Sequence, residues 1–139
     1  MIDIEWDVYC RIIEALEGLK NEFPKIQGNV STLVSADVPE FPWVSIVERD
    51  NQVYRNTRDT GSNENHAQIV YEINVFTNSR TSRKADAKKI MSLLDETMLG
   101  MGFTRTMLSP VPNALDASIY RLAARYRALV SQNKVIYWR

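Results

Sequence analysis

The chain has little of the chemistry that marks metal sites and most hydrolytic enzymes. Its 139 residues include one cysteine, Cys10, and one histidine, His66. A single cysteine excludes an internal disulfide, which makes intracellular folding the default expectation. A zinc site would need carboxylate ligands beside these two residues. The acidic clusters "ERD" and "DETM" lack the spacing of a calcium loop.

Membrane, export and nucleotide signals are missing as well. No apolar run reaches the length of a transmembrane helix, and the N-terminal "MIDIEWD" is acidic, unlike a signal peptide. The "GMG" at 100–102 lacks the rest of a dinucleotide fingerprint and ends a predicted helix instead of opening one. A triad that uses His66 would need a nucleophile nearby in space, and Cys10 is expected to be part-buried on a helix. These absences favour an interaction or structural protein over an enzyme.

Net charge is absent too, with 17 basic and 17 acidic residues. A neutral chain argues against a dedicated nucleic-acid binder, which usually has a clearly basic domain. The charges are divided unevenly, because residues 1–50 hold ten acids and four bases whereas residues 51–139 hold seven acids and thirteen bases. Two interpretations stay open. The charges form ion pairs within one domain, or they form complementary surfaces on neighbouring copies that favour head-to-tail assembly.

Apolar periodicity predicts an order of helices and strands within one domain, residues 1–139. A helix that Pro24 stops comes first, with Asp3 as its cap, and a second helix is predicted over 81–102. Alternation and β-branched residues predict strands at 29–35, 43–49, 66–77 and 102–111. The stripe of the first helix consists of Tyr9, Ile12, Ile13, Leu16, Leu19 and Phe23.

Residues 118–131, "SIYRLAARYRALVS", fit either a helix or a strand. The following "QNK" and "VIYW" resemble a turn and a returning strand, which favours a hairpin. As a strand, the segment would place Arg121, Arg125 and Arg127 on one face. The whole pattern predicts an α+β fold, in which a mostly antiparallel sheet carries two helices on one face. The order is α-β-β-β-α-β-β(-β), with a long polar hairpin loop at 50–66.

Arginine is the abundant cation, with eleven arginines against six lysines. Arginine favours geometrically fixed contacts with carboxylates or phosphates and is enriched at interfaces. A solvated face with local ion pairs is the alternative. Nucleic-acid binding would need aromatic residues on the same face, whereas Tyr120 and Tyr126 fall on the opposite one. Our candidate contact residues, toward another subunit or a partner protein, are Arg49, Arg55, Arg58, Asp59, Glu64, Arg121, Arg125 and Arg127.

The layout resembles the tail terminator (tail completion) proteins of long-tailed bacteriophages. "PEFPWVSIVE" follows an N-terminal helix, and a long polar loop then precedes "YEINVFTNS" and the helix "KADAKKIMSLLDETMLGMGF". In the closing part, "YRLAARYRALV" and "NKVIYW" form the expected hairpin. The resemblance extends from about residue 4 to residue 138 and is one of layout, since it contains no single specific motif.

The resemblance implies a structural virion protein at the head–tail junction, assembled in the host cytoplasm. It implies a hexameric ring that caps the tail tube, ends its polymerisation and docks onto the head connector. The implied partners are further copies of the chain, the major tail tube protein and the connector or stopper protein. No catalysis, cofactor, membrane or specific nucleic acid is implied. Another head–tail neck protein, a small ligand-binding or catalytic α+β domain and a nucleic-acid-binding module remain alternatives.

Overall fold

The computed structural model describes residues 1–32, 40–53, 66–112, 118–131 and 136–137. Within these ranges, two α-helices and six strands follow one another in the order α-β-β-β-α-β-β-β, as the sequence predicts. Two short 3₁₀ turns, Glu17–Leu19 and Ile26–Gly28, follow the first helix. The elements are α1 (Glu5–Leu16), β1 (Val30–Ser31), β2 (Trp43–Val53), β3 (His66–Thr77), α2 (Arg83–Gly100), β4 (Thr104–Val111), β5 (Tyr120–Ser131) and β6 (Ile136–Tyr137).

One mixed sheet contains all of these strands in the order β1-β2-β3-β5-β4, with β6 paired to β5. Its pairs are antiparallel except for β1, which runs parallel to β2. The α+β prediction is therefore confirmed. Strands β1 and β4 lie at opposite edges, and β3 is central because it pairs with both β2 and β5.

Both helices cover one face of the sheet and enclose the core with it. Alternate residues of β3 point into this core, and their β5 neighbours do the same, so that Tyr71 faces Tyr126 and Ile73 faces Ala124. The period of two along β5 confirms the strand interpretation of 118–131. The helices contribute the buried residues Val8, Ile12, Leu16, Ala87, Ile90, Met91, Leu94 and Met98.

The first helix is shorter than its apolar stripe predicts. It ends at Leu16, where the chain tightens into a 3₁₀ turn around Gly18, a poor helix former. Leu19 still packs against the core from that turn. Asp3 lies just before the cap position, which Ile4 occupies, and its Oδ1 accepts a hydrogen bond of 3.0 Å from the backbone N–H of Glu5.

Strands β2 and β3 are partners, as the predicted hairpin requires. Their register runs from Trp43 opposite Phe76 to Val53 opposite Ala67. Residues 50–53 and His66 are therefore strand residues, which makes the predicted loop of 50–66 too wide. Residues 54–65 lie outside the described part of the chain. Among the described helices, none is long and apolar enough to cross a membrane.

A substitution at Gly102 tests the turn that follows α2. Its φ is 104°, and a Cβ added there would lie 2.8 Å from Cγ2 of Ile136. We expect Gly102→Ala to lower the free energy of unfolding by about 1–3 kcal/mol, through backbone strain and crowding. Gly100→Ala is the control, because a Cβ there meets no atom within 4 Å. It should be neutral or stabilising by up to about 1 kcal/mol. Urea unfolding measures both, and equal losses would contradict the prediction.

Candidate interaction surface

The sheet face opposite the helices carries polar side chains at its centre. On β3 the alternate residues Glu72, Asn74 and Phe76 point to this face, and they are only 3%, 1% and 8% exposed. Their direct neighbours on β5 include Arg125 and Arg121, at the same levels as Glu72 and Phe76. The second side of β3 is therefore covered as well, and arginine side chains supply part of this cover.

Glu72 is the centre of this surface, because two guanidinium groups bind its carboxylate directly. Arg49 donates from Nη2 at 2.7 Å and from Nε at 3.2 Å to Oε2, and Arg125 donates from Nε at 3.0 Å to Oε1. The Glu72 side chain is 4% exposed, whereas those of Arg49 and Arg125 are 40% and 47% exposed. A buried carboxylate is thus paired by cations that still reach solvent.

A third arginine joins the cluster through Asn74. Arg121 donates from Nε to Oδ1 of Asn74 at 2.9 Å, and its Nη2 lies 3.9 Å from Oε2 of Glu72. Asn74 in turn donates from Nδ2 to the same Glu72 oxygen at 3.2 Å. The Arg121 guanidinium carbon lies 5.6 Å from the Phe76 ring centroid, within cation–π range. These contacts fix the plane of the guanidinium.

A β-bulge lies at Arg49. In the β2–β3 register, Glu48 lies opposite Tyr71 and Asp50 lies opposite Val70, so Arg49 is the extra residue. The alternation of the strand already places Glu48 on the helical side and Arg49 on the open side, where Arg49 binds Glu72. The bulge shifts the alternation that follows, so that Asn51, opposite Ile69, faces the helical side together with Glu48.

The open face has an excess of positive charge. Burial raises the pKa of Glu72, but the hydrogen bonds from Arg49, Asn74 and Arg125 outweigh it and hold that pKa below its ordinary value. The cluster therefore combines one ionised carboxylate with three guanidinium groups, which leaves it with a net positive charge. Arg127 extends the same face and is exposed, with no ion pair to any described residue. We call Arg49, Arg121, Arg125 and Arg127 the arginine face.

Glu48 belongs to an acidic region on the helical side. Its Oε1 accepts a hydrogen bond of 3.2 Å from Nδ2 of Asn51. Burial, together with the charges of Asp3 and Glu5, raises the pKa of Glu48. Burial and the Glu48 carboxylate likewise raise the pKa of the Tyr71 phenol. Residues 48 and 49 therefore belong to oppositely charged regions on opposite faces of the sheet.

The structure brings together three of the predicted contact residues, Arg49, Arg121 and Arg125. Arg127 lies on the same face but apart from Glu72. The four remaining candidates, Arg55, Arg58, Asp59 and Glu64, lie outside the described residues. The sequence prediction omitted Glu72 and Asn74, although a carboxylate and an amide inside the apolar run "IVYEINVF" signal buried partners.

Cys10 is exposed on α1, which corrects the expectation of a part-buried thiol. It lies two residues, or about 200° around the helix, from both Val8 and Ile12 of the buried stripe. His66 begins β3 and is half-buried. In the described ranges no three His, Cys, Asp or Glu residues are grouped so that they could hold a metal ion.

No protein-family model and no curated protein matches the chain. The function of the arginine face is therefore inferred from its contacts with Glu72 and from the charges around it. Guanidinium groups on one side of the sheet and carboxylates on the other suit ligands of opposite charge.

Glu72 and Glu48 make a matched pair for a pH test. The lowered pKa of Glu72 means that its ionised form contributes stability above the ordinary value of 4.5, and that this contribution is lost as the pH falls through the folded-state pKa. We expect Glu72→Gln to lower the free energy of unfolding by about 1–3 kcal/mol at neutral pH. The difference from the unmodified protein should shrink in acid.

Glu48→Gln should have the opposite sign. Its raised pKa means that ionisation above the ordinary value of 4.5 costs the folded state stability. The glutamine oxygen can still accept the bond from Asn51, so this variant should be equally or more stable at neutral pH, with any gain lost in acid. Urea unfolding from about pH 3 to about pH 8, a range that spans the titration of carboxylates and reaches neutral pH, measures both. Equal destabilisation of the two variants at neutral pH would refute this account of the charges.

Proposed function

We propose that the chain is a structural tail terminator protein, which forms a ring at the end of a bacteriophage tail tube and joins it to the head connector. The observation that carries the proposal is the arginine face, a preorganised charged surface on the open side of the sheet. The element order α-β-β-β-α-β-β-β supports it as well, since this is the order expected from the layout resemblance.

The Glu72 pairing makes the arginine face suitable for protein contacts. Flexible arginines lose side-chain entropy when they bind a partner, and anchoring them beforehand reduces that loss. Arg49 and Arg125 are anchored at Glu72 yet remain 40% and 47% exposed. Of its described contacts, the Arg125 side chain uses only Nε, so its terminal N–H groups can reach an external acceptor. Carboxylates of a neighbouring protein match this donor geometry.

The division of charge supports repeated association of copies. Carboxylates at the start of α1 and at Glu48 lie on the helical side, and the arginine face lies on the other. A chain with unlike surfaces associates head to tail, and such contacts close into a ring when the rotation between copies allows it. In the proposed function such a ring, hexameric as the resemblance implies, leaves the arginine face outside the contacts between copies and presents it to the tube or to the connector.

Arg127 offers a test of the arginine face without loss of the Glu72 cluster. We expect Arg127→Glu to keep the fold but to weaken capping of tail tubes by at least about tenfold in protein concentration, because it places a like charge against the acidic partner. Lys20→Glu is the control, since it makes the same charge change at an exposed position just after α1. The assay polymerises the major tail protein with added chain and measures tube lengths by negative-stain electron microscopy.

The unmodified protein should limit tube length and add density at one tube end. Tubes of unchanged length, with bare ends, would overturn the proposed function. Equal capping by Arg127→Glu and Lys20→Glu would leave the function standing but remove the arginine face from it.

A further inference from the structure

Exposed large hydrophobic side chains of the described chain are confined to two places. Met1 and Trp6 are 92% and 72% exposed at the start of α1, and Leu108 is 43% exposed on β4. Trp6 shares a depression with Val30 and Ser31 of edge strand β1. Because β1 and β4 are the two opposite edges of the sheet, the apolar sites lie on opposite sides of the domain.

The β4 site is a groove of about 560 Å³ between α2 and the sheet edge. Its walls are apolar and include Met91, Leu108 and Leu122. This volume falls within the range of about 300–1,000 Å³ that is usual for ligand pockets. We call it the edge groove.

A second β-bulge builds the edge groove. Arg105 pairs with Tyr126 and Met107 pairs with Arg125, which makes Thr106 the extra residue of β4. In a regular strand, residues 105 and 108 would point to opposite faces. The bulge turns both Arg105 and Leu108 to the helical side, where they line the groove together.

The rim of the edge groove is positively charged. Lys84 and Lys88 lie one turn apart on α2, and neither forms an ion pair with any part of the chain that the structure describes. Arg105 lies across the groove, where its Nη1 is 3.2 Å from Oδ1 of Asp95. The Tyr126 hydroxyl donates to the same oxygen at 2.8 Å, which fixes Asp95 in place. Three cations therefore surround an apolar groove that contains one carboxylate.

The Trp6 site has the complementary character. The Trp6 ring stacks on Tyr9 with centroids 5.4 Å apart and an interplanar angle of 22°, so it is supported although largely exposed. Asp3 and Glu5 line the depression beside it. We call this the Trp6 surface. It combines one aromatic projection with two carboxylates.

We propose that the Trp6 surface of one copy docks into the edge groove of the next copy. The indole enters the apolar walls, and Asp3 and Glu5 meet Lys84 and Lys88. Large aromatic side chains bury about 150–250 Å² each, and tryptophan is enriched among the residues that dominate interface energies. Charge complementarity selects the second copy as occupant, because the groove rim is cationic and the Trp6 surface is anionic.

The two partners lie on opposite edges of one sheet, so the contact repeats from copy to copy. Such a heterologous contact forms rings or filaments instead of isolated dimers. The inference deepens the proposed function and rests on it for one premise, that copies of the chain associate. It assigns the contact between copies to the sheet edges and leaves the arginine face for another partner.

Two variants, each blocking one half of the contact, test this pairing. Trp6→Ala removes the projection, and Lys84→Glu with Lys88→Glu reverses the groove rim at two exposed positions. Lys20→Glu with Lys25→Glu is the control, since it makes the same charge change at exposed positions outside both surfaces. Sedimentation velocity at increasing protein concentration measures assembly, and circular dichroism checks the fold.

We expect the unmodified protein and the lysine control to form species larger than dimers. Each blocked variant alone should associate at least about 30-fold more weakly. An equimolar mixture of the two blocked variants should form dimers and nothing larger, because each mixed pair keeps one intact Trp6 surface and one intact groove.

Persistent assembly of both blocked variants, a fully monomeric unmodified protein, or a small molecule that co-purifies in the groove would each overturn the inference. The tail-tube capping assay distinguishes a failure of this inference from a failure of the proposed function. If tail tubes were capped and both blocked variants still assembled, only the edge contact would be refuted. Head-to-tail assembly without capping would refute only the tail function.

Discussion

The carboxylate of Glu72 is the constraint on which the sheet and its open surface depend. It lies in the middle of the central strand at 3% exposure, and a buried charge must be paired. Strand β2 supplies Arg49, and β5 supplies Arg125 and Arg121. A register slip of one residue would turn Glu72 into the helical core. One ion cluster therefore specifies how three strands align, and it leaves excess positive charge outside.

Strand alternation and a β-bulge together arrange the charged residues on distinct surfaces. Along β2 the period of two separates neighbouring residues of opposite sign, so that Glu48 joins the acidic helical side and Arg49 joins the arginine face. At Thr106 the bulge places Arg105 beside Leu108 in the edge groove. The chain thus presents distinct surfaces in different directions, which is the property that an assembly protein requires.

Periodicity predicted most of the fold, because burial on one face imposes a period of two on β5 and of 3.6 on the helices. The run "IVYEINVF" signals that Glu72 has buried partners, but it does not identify them, since its pairing with Arg49 and Arg125 depends on strand registers that the pattern of residues leaves open. Cys10 was wrongly predicted to be part-buried, because residue spacing alone does not fix the edge of the buried face of a helix to within one position. The structure establishes the α+β fold. The relation to tail terminators, which rests on the layout resemblance, stays a prediction.

Cross-linking tests the central claim, head-to-tail assembly at the sheet edges, most directly. Cys10 is the single cysteine of the chain, is exposed, and lies one helical turn after Trp6. Leu108→Cys adds a second thiol in the edge groove. A short bis-maleimide should then produce a ladder that stops at one discrete size, whereas the unmodified chain should give no ladder. Dimers alone, from like-to-like pairing, would contradict head-to-tail assembly, and a ladder without an end would contradict closure into a ring.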